Sequence, residues 1–343
     1  MKKQLLLLSL LVLTACSNAT SSSTFDPKPY FAAMEAAARA DLAKDDFSLR
    51  LGQGKANMAF DIKDDEGTVS PYSVRIDPLL LDVRFSNIHA ESCKDVTMSM
   101  RGKDDNGNSS NIYLEGDNLP ASALISGGLP FAVHAYLEEG VGYLNLYDAA
   151  ALRLAINEMI KQEYPSYAGL PIRGKKALDE KDVENIDEYF PLDQRLLDTV
   201  TKLRENLEKI NEKDPNDFHF NTEASVQSIT FRTTSWDSFR RIVDDAAIAD
   251  MSLDSVDMSS FFDEAEANAD LKAFALSLSF DEQGWKRMDF EITIGFKTQS
   301  EGTINPKGDW NLTGGLIFGH EKALTLSDKE KQRYEEITLP EQE

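Results

Sequence analysis

The chain is poor in cysteine: Cys16 and Cys93 are the only two in 343 residues. A disulfide-stapled fold is therefore excluded, and a cysteine-rich metal site with it. Histidine is equally scarce. His89, His134, His219 and His320 are scattered, with no pair at ligand spacing, so no metal is expected. Beyond the N-terminus there is no long uncharged apolar run, so the sequence predicts no membrane-spanning helix. Positive charge is short as well. Lys and Arg number 36 against 59 Asp and Glu, a formal charge of −23. A surface this acidic repels nucleic acid and anionic headgroups.

Motifs of catalysis are missing too. There is no Gly-x-Ser-x-Gly elbow and no phosphate-cradling Gly-x-x-x-x-Gly-Lys-Ser/Thr, because the run Gly169 to Lys176 lacks the final hydroxyl. Lys103 to Asn108 is rich in oxygen ligands but lacks the spacing and distal glutamate of an EF-hand. With 59 acids, a close carboxylate pair is expected by chance and marks no site. Cys93 would need an activating base to be a nucleophile, and a buried thiol accounts for it. No cofactor and no catalytic residue follow from these patterns, and the chain is not expected to be an enzyme.

What is present begins at the N-terminus. Lys2 and Lys3 precede an apolar stretch, Leu5 to Val12 broken by Ser9, and small residues follow. This is the layout of a secretory signal peptide. It closes on Leu13-Thr14-Ala15-Cys16, which resembles a bacterial lipobox. The resemblance implies a lipid on the Cys16 sulfur (diacylglycerol, with palmitate-type acyl chains) and removal of residues 1–15. That removal takes away Lys2 and Lys3, moving the charge from −23 to −25. Residues 16–25 then form an acylated cysteine and a Ser/Thr-rich tether. The expected address is extracytoplasmic, lipid-anchored to a bacterial cell membrane or, in a two-membrane envelope, the outer membrane.

Residues 26–340 read as one α+β domain, with possible subdomains divided near 163–178. Phe31, Met34, Ala38 and Leu42 share one helical face. Strand alternation follows: Val74 and Ile76, then Leu79 to Phe85 in the opposite phase, with a slip at Asp77-Pro78. Asp148 is expected to cap a helix carrying Leu152, Ala155, Ile156 and Met159. The stretch 163–178 reads as a connection, flap or bridge. A short helix is expected around Val183, Ile186 and Phe190, then a clearer one over Leu196, Val200, Leu203, Leu207 and Ile210. Ser235 is expected to cap another, with Phe239, Ile242, Val243 and Ala246. An acidic helix is expected over Val256, Phe261, Phe262 and Ala265. Two strands carry the clearest alternation: Phe274, Leu276, Leu278, Phe280, and Met288, Phe290, Ile292, Ile294, Phe296. Trp310, Leu312, Leu316 and Phe318 continue the meander, and a helix is expected over Asp328 to Ile337. The pattern predicts a large antiparallel sheet with helices on one face.

By its lipobox, cysteine-poor mature chain, leading helix and final meander from Leu271 to Phe318, the chain resembles the bacterial lipid-carrier superfamily of LolA, LolB, LppX and LprG. The resemblance implies a strongly curved antiparallel sheet facing helices, with acyl chains between. The nine residues of the two clearest strands are then the candidate hydrophobic ligand face. The expected function is binding or carrying a lipid or other hydrophobic ligand; the expected partners are the membrane and that lipid, not nucleic acid. Two other readings stand beside it: an envelope interaction or structural lipoprotein using the Leu196–Ile210 stripe, and a hydrolase with an unrecognised site.

Overall fold

A computed structural model describes residues 25–63, 67–116, 128–165, 167, 169–182, 194–245, 266–297 and 304–338. Cys16 and the tether, the helix expected around Val183 to Phe190, Ala246, and the acidic helix from Val256 to Ala265 lie outside the described residues.

Helix α1 spans Lys28–Leu42, and two very long strands follow, β1 (Asp46–Lys63) and β2 (Val69–Ser86). Then come β3 (Thr97–Arg101), β4 (Ser110–Gly116), β5 (Leu129–Phe131), β6 (His134–Glu138), β7 (Val141–Asn145), α2 (Ala150–Glu163) and β8 (Arg173–Ala177). Helix α3 (Gln194–Lys213), β9 (Phe218–Glu223), β10 (Val226–Thr233) and α4 (Trp236–Asp245) lead to β11 (Ala269–Asp281), β12 (Gly284–Phe296) and β13 (Ile304–Gly319). The chain closes with a short α5 (Asp328–Lys331) and β14 (Glu335–Glu336).

All fourteen strands among the described residues join one sheet. Its main path is β14-β8-β7-β6-β3-β2-β1-β13-β12-β11-β10-β9, with β4 and β5 branching from β2. This corrects the expected α+β layout of an antiparallel sheet covered on one face by helices. Strands dominate, the sheet is mixed because β14 pairs parallel to β8, and the described helices cover one part of it only. The reason lies in the tail. Residues 321–327 cross the polar face of the sheet as a strap. Ala323 N donates to Ser86 Oγ (3.0 Å), Leu324 N to Ser99 Oγ (2.9 Å) and Leu326 N to Glu138 Oε1 (2.6 Å). Lys331 Nζ then pairs with Glu138 Oε2 at 2.8 Å, and β14 is delivered beside β8. The helix expected over Asp328 to Ile337 therefore ends at Lys331. Its start is well made, with a Ser327–Glu330 capping box.

The connection read over 163–178 contains strand β8 instead, which extends the β6–β7 hairpin. Asp148 does not cap α2; its carboxylate takes Lys103 Nζ at 2.5 Å. Ser235 does cap α4, accepting from Ser238 N.

The phase slip at Asp77-Pro78 faces a matching irregularity in β1, where the register shifts on both sides of Gly54. Leu51 pairs with Leu81 above it and Ala56 with Ile76 below it. The two bulges together keep apolar residues on one face across a break that would otherwise invert them.

The main core lies between α1, α3, α4 and strands β10–β12. Phe31, Met34, Leu207, Ile229, Phe231, Leu278 and Phe280 are fully buried there. The α3 stripe belongs to it: Val200, Leu207 and Ile210 are buried. α1 is tied down at both ends of its face. Asp41 Oδ2 accepts from Trp285 N at 2.8 Å, and Trp285 Nε1 donates to Met34 O at 3.1 Å. Gly284, at φ +135°, makes this approach possible; a Cβ there would lie 1.8 Å from Asp41 Oδ1. A second, smaller core forms around Phe47, Val83 and Phe85.

Candidate functional site

The nine residues of the expected ligand face do share a face. Register places Leu276 opposite Phe290, Leu278 opposite Met288 and Phe274 opposite Ile292. The structure then splits them. Phe274, Leu276, Leu278 and Phe280 on β11 are buried in the main core, engaged by protein side chains. Phe274 lies 4.8 Å from Phe239 and 6.0 Å from Phe231, ring to ring. Met288, Ile292 and Ile294 are partly buried against the same core. Phe290 leans over Gly314, whose missing side chain leaves it room. Phe296 meets Trp310 edge-on at 4.9 Å.

The apolar face does not stop at β12. Ile292 pairs with Leu312 and Ile294 with Trp310 on β13; Leu312 pairs with Ala56 on β1; Ala56 pairs with Ile76, Met58 with Val74 and Phe60 with Tyr72 on β2. Ile76 and Val74 pair in turn with Ile112 and Leu114 on β4. Strand alternation turns all of these to one side. The result is an apolar plate built from four strands: Met58, Phe60, Tyr72, Val74, Ile76, Ile112, Leu114, Trp310 and Leu312. None of them belongs to either core, and Leu312 is 37% exposed. Phe60 and Tyr72 stack at 6.0 Å, Tyr72 lies over Gly116, and Trp310 is pinned by its Nε1 to Ala59 O at 2.8 Å. Among the described helices, those of the main core reach β10–β12 and not this plate.

The opposite side of the same strands is polar. Arg75 stacks on Tyr113 at 3.9 Å, Thr293 Oγ1 donates to Asn311 Oδ1 at 2.9 Å, and Lys272 pairs with Asp309 at 2.6 Å. Further along, Arg84 forms a two-point bridge to Asp82, which holds the guanidinium pKa above its ordinary range. Ser48 bonds Glu321, and that bond holds the Glu321 carboxyl below the usual carboxylate range. The apolar side of these strands is the one that offers a hydrophobic ligand a continuous surface.

Sequence reasoning missed most of the plate. The alternation of Val74 with Ile76, Ile112 with Leu114 and Trp310 with Leu312 was a usable signal. Met58 and Phe60 gave a weaker one, interrupted by Ala59 and preceded by Gly52 and Gly54.

Other groups offer less. A cavity of about 430 Å³ opens beside Ala33, Ala36, Gln227 and Phe280, rimmed by Thr222, Ser225, Asp281 and Glu282. Gln227 Oε1 is buried without a partner, but it is shielded from solvent and so from the cavity. His134 is buried. Its Nε2 lies 3.8 Å from Asp148, and burial, followed by Lys103 and Arg101, pushes its pKa down. His219 is exposed. His320 bridges Asp46 O (3.0 Å) and Asp41 Oδ1 (3.2 Å). Among the described residues, no three His, Cys, Asp or Glu side chains are grouped to hold a metal, and no helix is long and apolar enough to cross a membrane. Cys93 is buried.

No family model matches the chain, and no curated protein matches it significantly. Among solved structures, a beta-barrel-like protein of a domain of unknown function, DUF1849, from Brucella abortus matches at 10% identity, over 80% of this chain and 100% of that one, with a TM-score of 0.17. The outer membrane protein OprG from Pseudomonas aeruginosa matches at 10% identity, over 81% of this chain and 97% of that one, with a TM-score of 0.16. Scores this low carry no argument about fold or function.

Proposed function

We propose that the protein is an extracytoplasmic lipoprotein, anchored through Cys16, that binds or carries a lipid or other hydrophobic ligand. The ligand lies on the apolar plate of β13, β1, β2 and β4. One observation carries the reading: nine apolar side chains from four strands share a face, outside both cores, with Leu312 exposed on β13. Apolar faces of this extent mark ligand or partner surfaces far more often than solvent. The role proposed is binding, not catalysis.

Native mass spectrometry of protein extracted gently from membranes tests this. Co-purifying lipid, lost in a Val74→Asp/Leu312→Asp double variant that still folds, is the expected result. Lipid-free wild-type protein, or equal lipid in the double variant, would sink the proposal. The interaction-protein reading loses its main support, because the α3 stripe is consumed by the core.

A further inference from the structure

Among the described residues, Phe25 is the most exposed large apolar one apart from Tyr147, at 60%. It is not a loose tether residue. Its ring packs on Phe220 at 5.2 Å and on Tyr30 at 5.9 Å, and those two lie 5.3 Å apart. From Phe220 the contacts continue through Phe218 (6.0 Å) to the buried Phe231 (4.8 Å). Tyr30 is held in turn by its hydroxyl on Thr222 at 2.9 Å. The backbone is fixed as well: Asp26 Oδ1 accepts from Lys28 N, and prolines at 27 and 29 open α1. An exposed aromatic is thus braced by a ladder of rings that runs into the core.

Its position along the chain limits what it can meet. Phe25 lies nine positions after Cys16, a reach of about 30 Å when fully extended. Resting on the anchor reading above, we propose that Phe25, with Tyr30 and Phe220 behind it, docks the domain on the bilayer interface. Aromatic rings favour that zone, where an apolar face and a polar tip are both accommodated. The matching surface is zwitterionic, because Asp26, Glu223 and the acidic chain as a whole oppose anionic headgroups. Docking there fixes the orientation of the domain against the membrane that supplies its ligand.

The test uses the chain from Cys16 onward, coupled at that thiol to a maleimide phospholipid; Cys93 is buried and escapes labelling. The synthetic anchor makes the outcome independent of whether cells acylate Cys16, which the mass of membrane-extracted protein reports separately. Phe25→Trp and, as a control, Val69→Trp at another exposed apolar position (52%) are placed on phosphatidylcholine vesicles containing brominated lipid. Native tryptophan emission is subtracted using the unsubstituted chain. Expected is at least twofold quenching for Phe25→Trp, little for Val69→Trp, and a weaker effect on vesicles rich in phosphatidylserine. No quenching of Phe25→Trp, or equal quenching of both, overturns the proposal. Protection of Phe25→Trp that appears only with a copurified protein present also overturns it, in favour of a protein partner.

Discussion

One sheet has two fates in this molecule. Across β10–β12 its apolar side is covered by α1, α3 and α4, and side chains such as Leu278 and Phe280 are wholly buried. Across the Trp310–Leu312 part of β13, the Met58–Phe60 part of β1, the Tyr72–Ile76 part of β2 and all of β4, the same side continues with the same alternation, yet its large side chains lie outside both cores. The two regions have similar residues and similar strand geometry. What separates them is the second layer, and the difference shows that an apolar strand face is a requirement for a partner, not a statement of which partner.

The contrast breaks most visibly in stability. Phe280→Ala should cost about 3–5 kcal/mol, as expected when a fully buried aromatic is removed and its cavity cannot close. Denaturant midpoints with unchanged slope would measure it; a loss below about 1 kcal/mol would mean that the covered half is not a packed core.

The next test is specific to the covered half. Burial, the largest influence, pushes the Asp41 carboxyl pKa upward, against the Trp285 N–H and then His320, Lys286 and Lys44. Its folded pKa therefore exceeds its unfolded one. The associated stability is complete below the unfolded value and is lost as pH rises through the folded value. Asp41→Asn keeps an acceptor for Trp285 N and removes the titration. Wild type should lose stability relative to Asp41→Asn as pH rises from the ordinary carboxylate range upward. Unfolding midpoints taken at several pH values should diverge, and parallel curves would contradict the assignment.

The smallest effect belongs to the plate. Leu312→Ala should change stability by only about 0.5 kcal/mol, the usual scale for a side chain outside the core, while weakening lipid retention. A loss comparable to that of Phe280→Ala would erase the distinction between the two halves.

Much of the local structure was legible in the sequence. α1, α3 and α4 follow from apolar spacing, and β11 and β12 from strict alternation. The Ser235 cap was readable because one hydroxyl reaches a backbone N–H three residues on. The parallel β14–β8 pair was not readable. It depends on a strap whose hydrogen bonds join residues such as Leu324 and Ser99, 225 positions apart. The plate was half readable: its strands alternate, but nothing in Val74 or Leu312 says that they share a surface.

By itself, the sequence determined the acidic balance, the scarcity of cysteine and histidine, and which residues of each strand face the same way. Those are properties of composition and of a two-residue period. Tertiary structure alone decided which of those faces became core. A strand's side chains are sorted by its own geometry, but their burial is set by register and by the layer delivered from elsewhere. That is why Phe274 to Phe280, first in line as a ligand face, became core, while Met58, Val74 and Leu312 were left to form the plate.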